Sequence, residues 1–147
     1  MTSDSTERGN VIALAKSEFR FLEGVVGRGV EVEDEAWRSV LAYVLGAITV
    51  EVELDWREKR VFVLVCRTVD GGRPPGYYRY DGRLMRVSLF DALNSGGSEH
   101  DKAIARRVWN AARISGPDAM TAKVIQLSAI LREIGDRIGN YSHLFSD

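Results

Sequence analysis

Ile48–Asp55 alternates without a break. Ile48, Val50, Val52 and Leu54 fall on one side of an extended chain, and Thr49, Glu51, Glu53 and Asp55 fall on the other. Side chains of a strand alternate with a period of two, so this run predicts a strand with one apolar face. Residues 61–65, Val-Phe-Val-Leu-Val, are apolar on both sides, as expected of a strand covered on both faces. The polar turn Trp56-Arg57-Glu58-Lys59-Arg60 between the two is too short for a crossover, so the strands must pair antiparallel. The pattern predicts a sheet that progresses from edge to centre, with an acidic strip of Glu51, Glu53 and Asp55 on its open face.

The flanking sequence extends that sheet. Residues 37–45 predict a preceding strand, joined through the tight turn Gly46-Ala47, and residues 31–35 form an acidic linker around a short extended piece. Residues 70–76, Asp-Gly-Gly-Arg-Pro-Pro-Gly, are the strongest loop in the chain. A small hairpin follows, residues 77–80 and 84–87 around Asp81-Gly82, a pair suited to the mirror-image turn. Helical spacing appears at both ends. Ile12, Ala15, Phe19, Leu22 and Val26 predict a first helix with Asn10 as its cap, ended by Gly24, Gly27 and Gly29. After Ser88 a helical turn over 89–93 is expected. A helix capped by Ser98 then runs to about Ile114, and one begins near Pro117 with Met120, Val124, Leu127, Leu131, Ile134 and Ile138 as its apolar stripe. The expectation is an α+β fold, an antiparallel sheet of four or five strands packed against an N-terminal helix and C-terminal helices. It comprises a frayed tail at residues 1–9 and a single domain at 10–147.

Composition removes several function classes. A chain of 147 residues fits one domain that buries about two-thirds of its unfolded surface. Its 20 basic and 21 acidic residues nearly cancel, so neither nucleic acid nor an anionic bilayer is an expected partner. The apolar stretch at 40–50 is interrupted by Gly46 and is too short to span a membrane. The first ten residues lack a basic-then-apolar pattern, and the expected location is the cytoplasm. Cys66 is the only cysteine, placed inside the apolar strand and expected to be a buried, inert thiol. The two histidines, His100 and His143, have no cysteine beside them in sequence, and no zinc-ligand spacing occurs. Glu31, Glu33, Asp34 and Glu35 are better read as a solvated linker than as ligands. No metal and no cofactor is expected.

Three groups of residues are candidates for function. Carboxylates two apart on a strand project about 6–7 Å from one another, within the range of glycosidase carboxylate pairs. The strip Glu51, Glu53, Asp55 is therefore open to three readings: a solvated face, a docking surface for a basic partner, or a catalytic pair. Trp56, Tyr77, Tyr78 and Tyr80, ringed by Arg57, Arg73 and Arg79, have the composition of a protein-binding hot spot, although core packing and base stacking use the same residues. The expected protein-binding set is Glu51, Glu53, Asp55, Trp56, Arg57, Tyr77 and Tyr78. The last helix is longer than a small sheet needs. Either it crosses the whole sheet, or Leu127, Leu131, Ile134 and Ile138 meet a second copy in a homodimer.

The N-terminal helix, the segment Val50-Glu51-Val52-Glu53-Leu54-Asp55-Trp56-Arg57-Glu58 and the following Val61-Phe62-Val63 together resemble a loose group of small bacterial proteins. Some members of that group are immunity proteins that neutralise polymorphic toxins. The resemblance covers residues 19–67 and implies stoichiometric binding of another protein, a toxin in that case, with no catalytic residue. Two alternatives stay open. One is a small hydrolase or nucleotide-modifying enzyme that uses Glu51 or Glu53 as a base beside a cation such as Arg67. The other is a bacterial or phage structural subunit that self-assembles.

Overall fold

The computed structural model describes residues 3–25, 27–76 and 78–146. Four consecutive strands form a meander: β1 (Glu31–Asp34), β2 (Arg38–Val44), β3 (Ile48–Asp55) and β4 (Arg60–Arg67). A two-stranded ribbon, β5 (Arg79–Tyr80) and β6 (Arg83–Leu84), interrupts the meander before β7 (Arg86–Ser88) returns to the outer side of β4. All pairings are antiparallel, giving a five-stranded sheet in the order β1-β2-β3-β4-β7. The β5–β6 turn is the expected mirror-image one: Asp81 and Gly82 both have positive φ, 53° and 75°, which the glycine tolerates without a Cβ penalty.

The helices are α1 (Ser3–Glu18), α2 (Leu89–Ser95), α3 (Glu99–Ala112) and α4 (Ala119–Ile134), with 3₁₀ turns over Arg20–Gly24 and Gly135–Phe145. Ser88 and Ser98 cap α2 and α3, their hydroxyls accepting from the amides of Asp91 and Asp101, which satisfies donors that a helix start leaves orphaned. At the end of α4, Gly135 takes a φ of 56° and breaks the α-helix, so the chain finishes in tighter turns. No helix among the described residues is long and apolar enough to cross a membrane.

The register of β3 sorts the sheet into two faces. Ile48, Val50, Val52 and Leu54 share the helix side with Leu41 and Tyr43 of β2 and with Val61, Val63 and Val65 of β4. All of these are buried, with Phe19, Leu22, Ile104, Val124, Leu131, Ile134 and Tyr141 among the residues laid over them. The predicted stripe of the last helix is buried from Met120 to Ile138.

Two expectations are corrected here. The tail at 1–9 is helical from Ser3. Its residues have partners: Glu7 pairs with Lys59 at 3.5 Å, and Arg8 donates to the Ala36 carbonyl at 2.9 Å and also binds Asp34 and the Glu35 carbonyl. Asn10 thus lies inside a helix. Leu127, Leu131, Ile134 and Ile138 are between 0% and 4% exposed within a single chain. α4 packs against β4, α1 and α3, Ile138 follows in the 3₁₀ segment, and within the single chain the stripe keeps no surface for a second copy. Val26, expected in the first helix, lies outside the described residues.

Candidate functional site

The second face of the sheet carries Thr49, Glu51, Glu53 and Asp55, and it is not open. Their neighbours across the ladders are Val44, Ala42, Val40 and Arg38 of β2, and Cys66, Leu64, Phe62 and Arg60 of β4. The connecting residues 68–76 fold back over the middle of this face, and Pro74 is buried there. Glu51, at 2% exposure, lies beneath it.

Glu51 is held by two arginines that arrive from different places. Arg86 enters through β7, opposite Cys66, and donates from Nε to Glu51 Oε1 at 3.1 Å and from Nη2 to Oε2 at 3.0 Å. Arg73 arrives on the covering loop and donates from Nε to Oε2 at 2.6 Å, while its Nη1 reaches Glu33 of β1. Arg86 then closes the loop by donating to the Pro75 carbonyl at 2.5 Å. Burial alone would push the Glu51 carboxyl up. The guanidiniums of Arg86 and Arg73 outweigh it and hold the carboxyl below the usual range. Cys66, fully buried beside this cluster, is pushed up by desolvation and then by the Glu51 charge. Burial and the raised pKa both disfavour the thiolate, the reactive form.

This geometry corrects the reading of an exposed acidic strip. A carboxylate kept ionised, covered and saturated by two guanidiniums has neither the access nor the basicity of a general base. Arg67, the cation proposed beside it, follows the parity of Val61, Val63 and Val65 onto the helix side, where it donates to the Leu84 carbonyl at 3.0 Å and the Phe145 carbonyl at 2.6 Å. Asp55 is buried and accepts from the amides of Arg57 and Glu58, both at 3.0 Å, so it shapes the β3–β4 turn. Glu53 stays near the surface but pairs with Arg38 at 2.6 Å. The acidic edge strand is neutralised in the same way, Glu31 by Arg28, Glu33 by Arg73, Asp34 by Arg8 and Glu35 by Arg38. Charge alone therefore gives this face no preference for a basic partner.

The aromatic candidates separate as well. Trp56 continues the even parity of β3 to the helix side. There its indole Nε1 donates to Ser39 Oγ at 2.9 Å, and Arg8 lies over its ring at 5.2 Å. The alternation from Ile48 carries this signal one step further into the turn. Tyr77 lies outside the described residues. Tyr78 is 58% exposed, and desolvation together with the neighbouring Glu53 carboxylate pushes its hydroxyl up. Arg57 is exposed and sits over a ring absent from the predicted set, that of Trp37, at 5.7 Å, with Arg38 over the same ring at 5.0 Å. Trp37 is 41% exposed.

A chain of side chains thus links Trp37 through Arg38 to Glu53, with Tyr78 close to that carboxylate, and forms a rim. It borders a cleft of about 420 Å³ lined by Glu31, Val32, Glu33, Arg38, Arg73, Pro74 and Gly76. Among the described residues no group of three or more His, Cys, Asp or Glu side chains is gathered for a metal ion. Compared with protein-family models, with curated proteins and with solved structures, the chain matches none of them.

Proposed function

We propose that this protein is a stoichiometric protein-binding module whose partner docks on the rim formed by Trp37, Arg38, Glu53, Arg57 and Tyr78. The observation that carries the reading is Trp37: a large apolar ring, 41% exposed, placed between two guanidiniums. Trp, Tyr and Arg dominate the energetics of protein interfaces, the aromatics because they bury much area with few rotamers and Arg because its planar fork offers several donors and stacks on rings. The base under this rim is rigid, since the Glu51 cluster clamps the covering loop to the sheet, and a preorganised surface loses less entropy on binding. Neutralisation of a toxin, the role implied by the resemblance to immunity proteins, is the specific form this binding takes on our reading.

The test is affinity purification of the tagged chain from its native host, run beside Trp37→Ala and Tyr78→Ala. A single protein should co-elute in about equal amount with the wild type. Loss of a hot-spot side chain typically costs 2 kcal/mol or more, about thirtyfold in affinity, so both variants should lose the partner while melting like the wild type. Retention of the same partner by both well-folded variants overturns the assignment of this rim.

A further inference from the structure

We infer that a second surface, the apolar groove between β4 and α3, docks an acidic linear segment of a protein through one large apolar anchor residue. The groove encloses about 410 Å³ and is walled by Val61, Phe62, Leu89, Phe90, Val108 and Trp109, among others. Trp109 is 55% exposed and leans on Phe90 with ring centroids 5.6 Å apart. This volume lies within the range of about 300–1,000 Å³ usual for ligand pockets, and an exposed tryptophan over an apolar floor suits a buried anchor side chain.

The rim decides the chemistry of the occupant. Arg106 and Arg113 stand three residues before and four residues after Trp109, positions that share a helix face. At the other wall Arg60 lies over the ring of Phe62 at 5.5 Å. Lys123, one turn from Leu127, is buried and donates from Nζ to the Lys59 carbonyl at 3.1 Å, so it adds no exposed charge to this rim. Elsewhere Arg8, Arg28, Arg38, Arg73, Arg86, Arg107, Arg132 and Arg137 each pair with a carboxylate of the chain itself. Among the described residues Arg60, Arg106 and Arg113, like Arg20 and Arg57 away from the groove, have no carboxylate within ion-pair distance. Asp91 is the one acidic residue in the lining. An apolar floor under uncompensated cations is complementary to an aromatic or large aliphatic side chain flanked by Asp or Glu.

The experiment uses the full chain as bait for a library of random twelve-residue displayed peptides, with Trp109→Ala as counter-selection. Enriched peptides should share one or two large apolar residues flanked by carboxylates. A synthetic copy of the leading peptide, followed by fluorescence anisotropy, should bind at least tenfold more weakly to Trp109→Ala and to Arg106→Glu/Arg113→Glu. Binding should weaken further as salt is raised, and Trp37→Ala should bind like the wild type, which separates this site from the rim around Trp37. The inference is overturned if nothing enriches over the counter-selection, or if the enriched peptides are neutral or basic. It is equally overturned if binding ignores the Trp109 and arginine substitutions in variants that melt normally. Trp109-dependent self-association in sedimentation would assign the groove to a second copy instead, and saturable quenching of Trp109 by dodecanoate without peptide enrichment would assign it to an anionic amphiphile.

Discussion

The two faces of the sheet are both covered at their centre, but by different physics. On the helix side, Leu41, Val50, Val52, Leu54, Val63 and Val65 meet Phe19, Val124, Leu131 and Ile134, and burial is favourable residue by residue without regard to partner. On the other side a loop with two prolines closes over Glu51, and the contact is favourable only when Arg73 and Arg86 arrive together. A buried ion cluster gains little over an apolar core of equal shape, yet it is costly to break, because one lost partner strands a charge. The helix side should therefore be graded in its tolerance, and the loop side close to all-or-none.

The largest expected effect breaks the cluster. Glu51→Lys places a third cation between two guanidiniums in a dry site and should cost at least about 3–5 kcal/mol, a large share of the total stability of about 5–15 kcal/mol usual for a domain. Urea titration followed by circular dichroism measures this. A stable, soluble Glu51→Lys protein would show that the loop covers the sheet without needing the charge cluster.

On the helix side, Leu131→Ala should cost about 2–5 kcal/mol, while Leu131→Met should cost less than about 1.5 kcal/mol, since volume is conserved. If the conservative change were as damaging as the truncation, the proposed contrast between a graded and an all-or-none face would fail.

Acid sharpens the comparison further. Glu51 is held below the usual carboxylate range by Arg86 and Arg73 against its burial, and Asp34 by the Ser39 hydroxyl and then Arg8. The unfolded chain takes up protons on these carboxyls near about pH 4, where the folded chain does not. Their contribution is complete above that range and is lost as pH falls through the lower folded values. Urea midpoints should decline below about pH 4. Glu51→Gln should be less stable than the wild type at neutral pH and converge on it in acid. Parallel curves for the two proteins would remove Glu51 from the account.

The smallest effect belongs to the rim. The Glu53–Arg38 pair is partly exposed, and Glu53→Gln should change stability by less than about 1 kcal/mol. Thermal melts beside Glu51→Gln would show whether two carboxylates, two residues apart on one strand, differ as sharply as their surroundings imply.

Much of this fold was legible before any coordinates. The parity of Ile48–Asp55, the Asp81-Gly82 turn, the serine cap at Ser98 and the stripe from Met120 to Ile138 all arise from local rules: side-chain period, backbone sterics and helix-end hydrogen bonding. Trp56 was within reach as well, because its parity extends that of Leu54, but its place in a turn suggested exposure. Arg8 escaped notice because a Ser- and Thr-rich start carries no apolar stripe, and its partners Asp34 and Ser39 lie 26 and 31 residues away.

The sequence by itself determined that one face of the sheet would be apolar and that the next would carry Glu51, Glu53 and Asp55. Only the tertiary structure decided what lies over those carboxylates. Periodicity states which side chains share a face but not what covers it, and a loop rich in Gly and Pro has no period to read. Arg73 and Arg86 meet Glu51 across 22 and 35 residues, through the return of β7 to β4. In sequence a charge that will be buried and paired looks the same as one that will be solvated. The difference lies in long-range pairing and in the desolvation that follows from it.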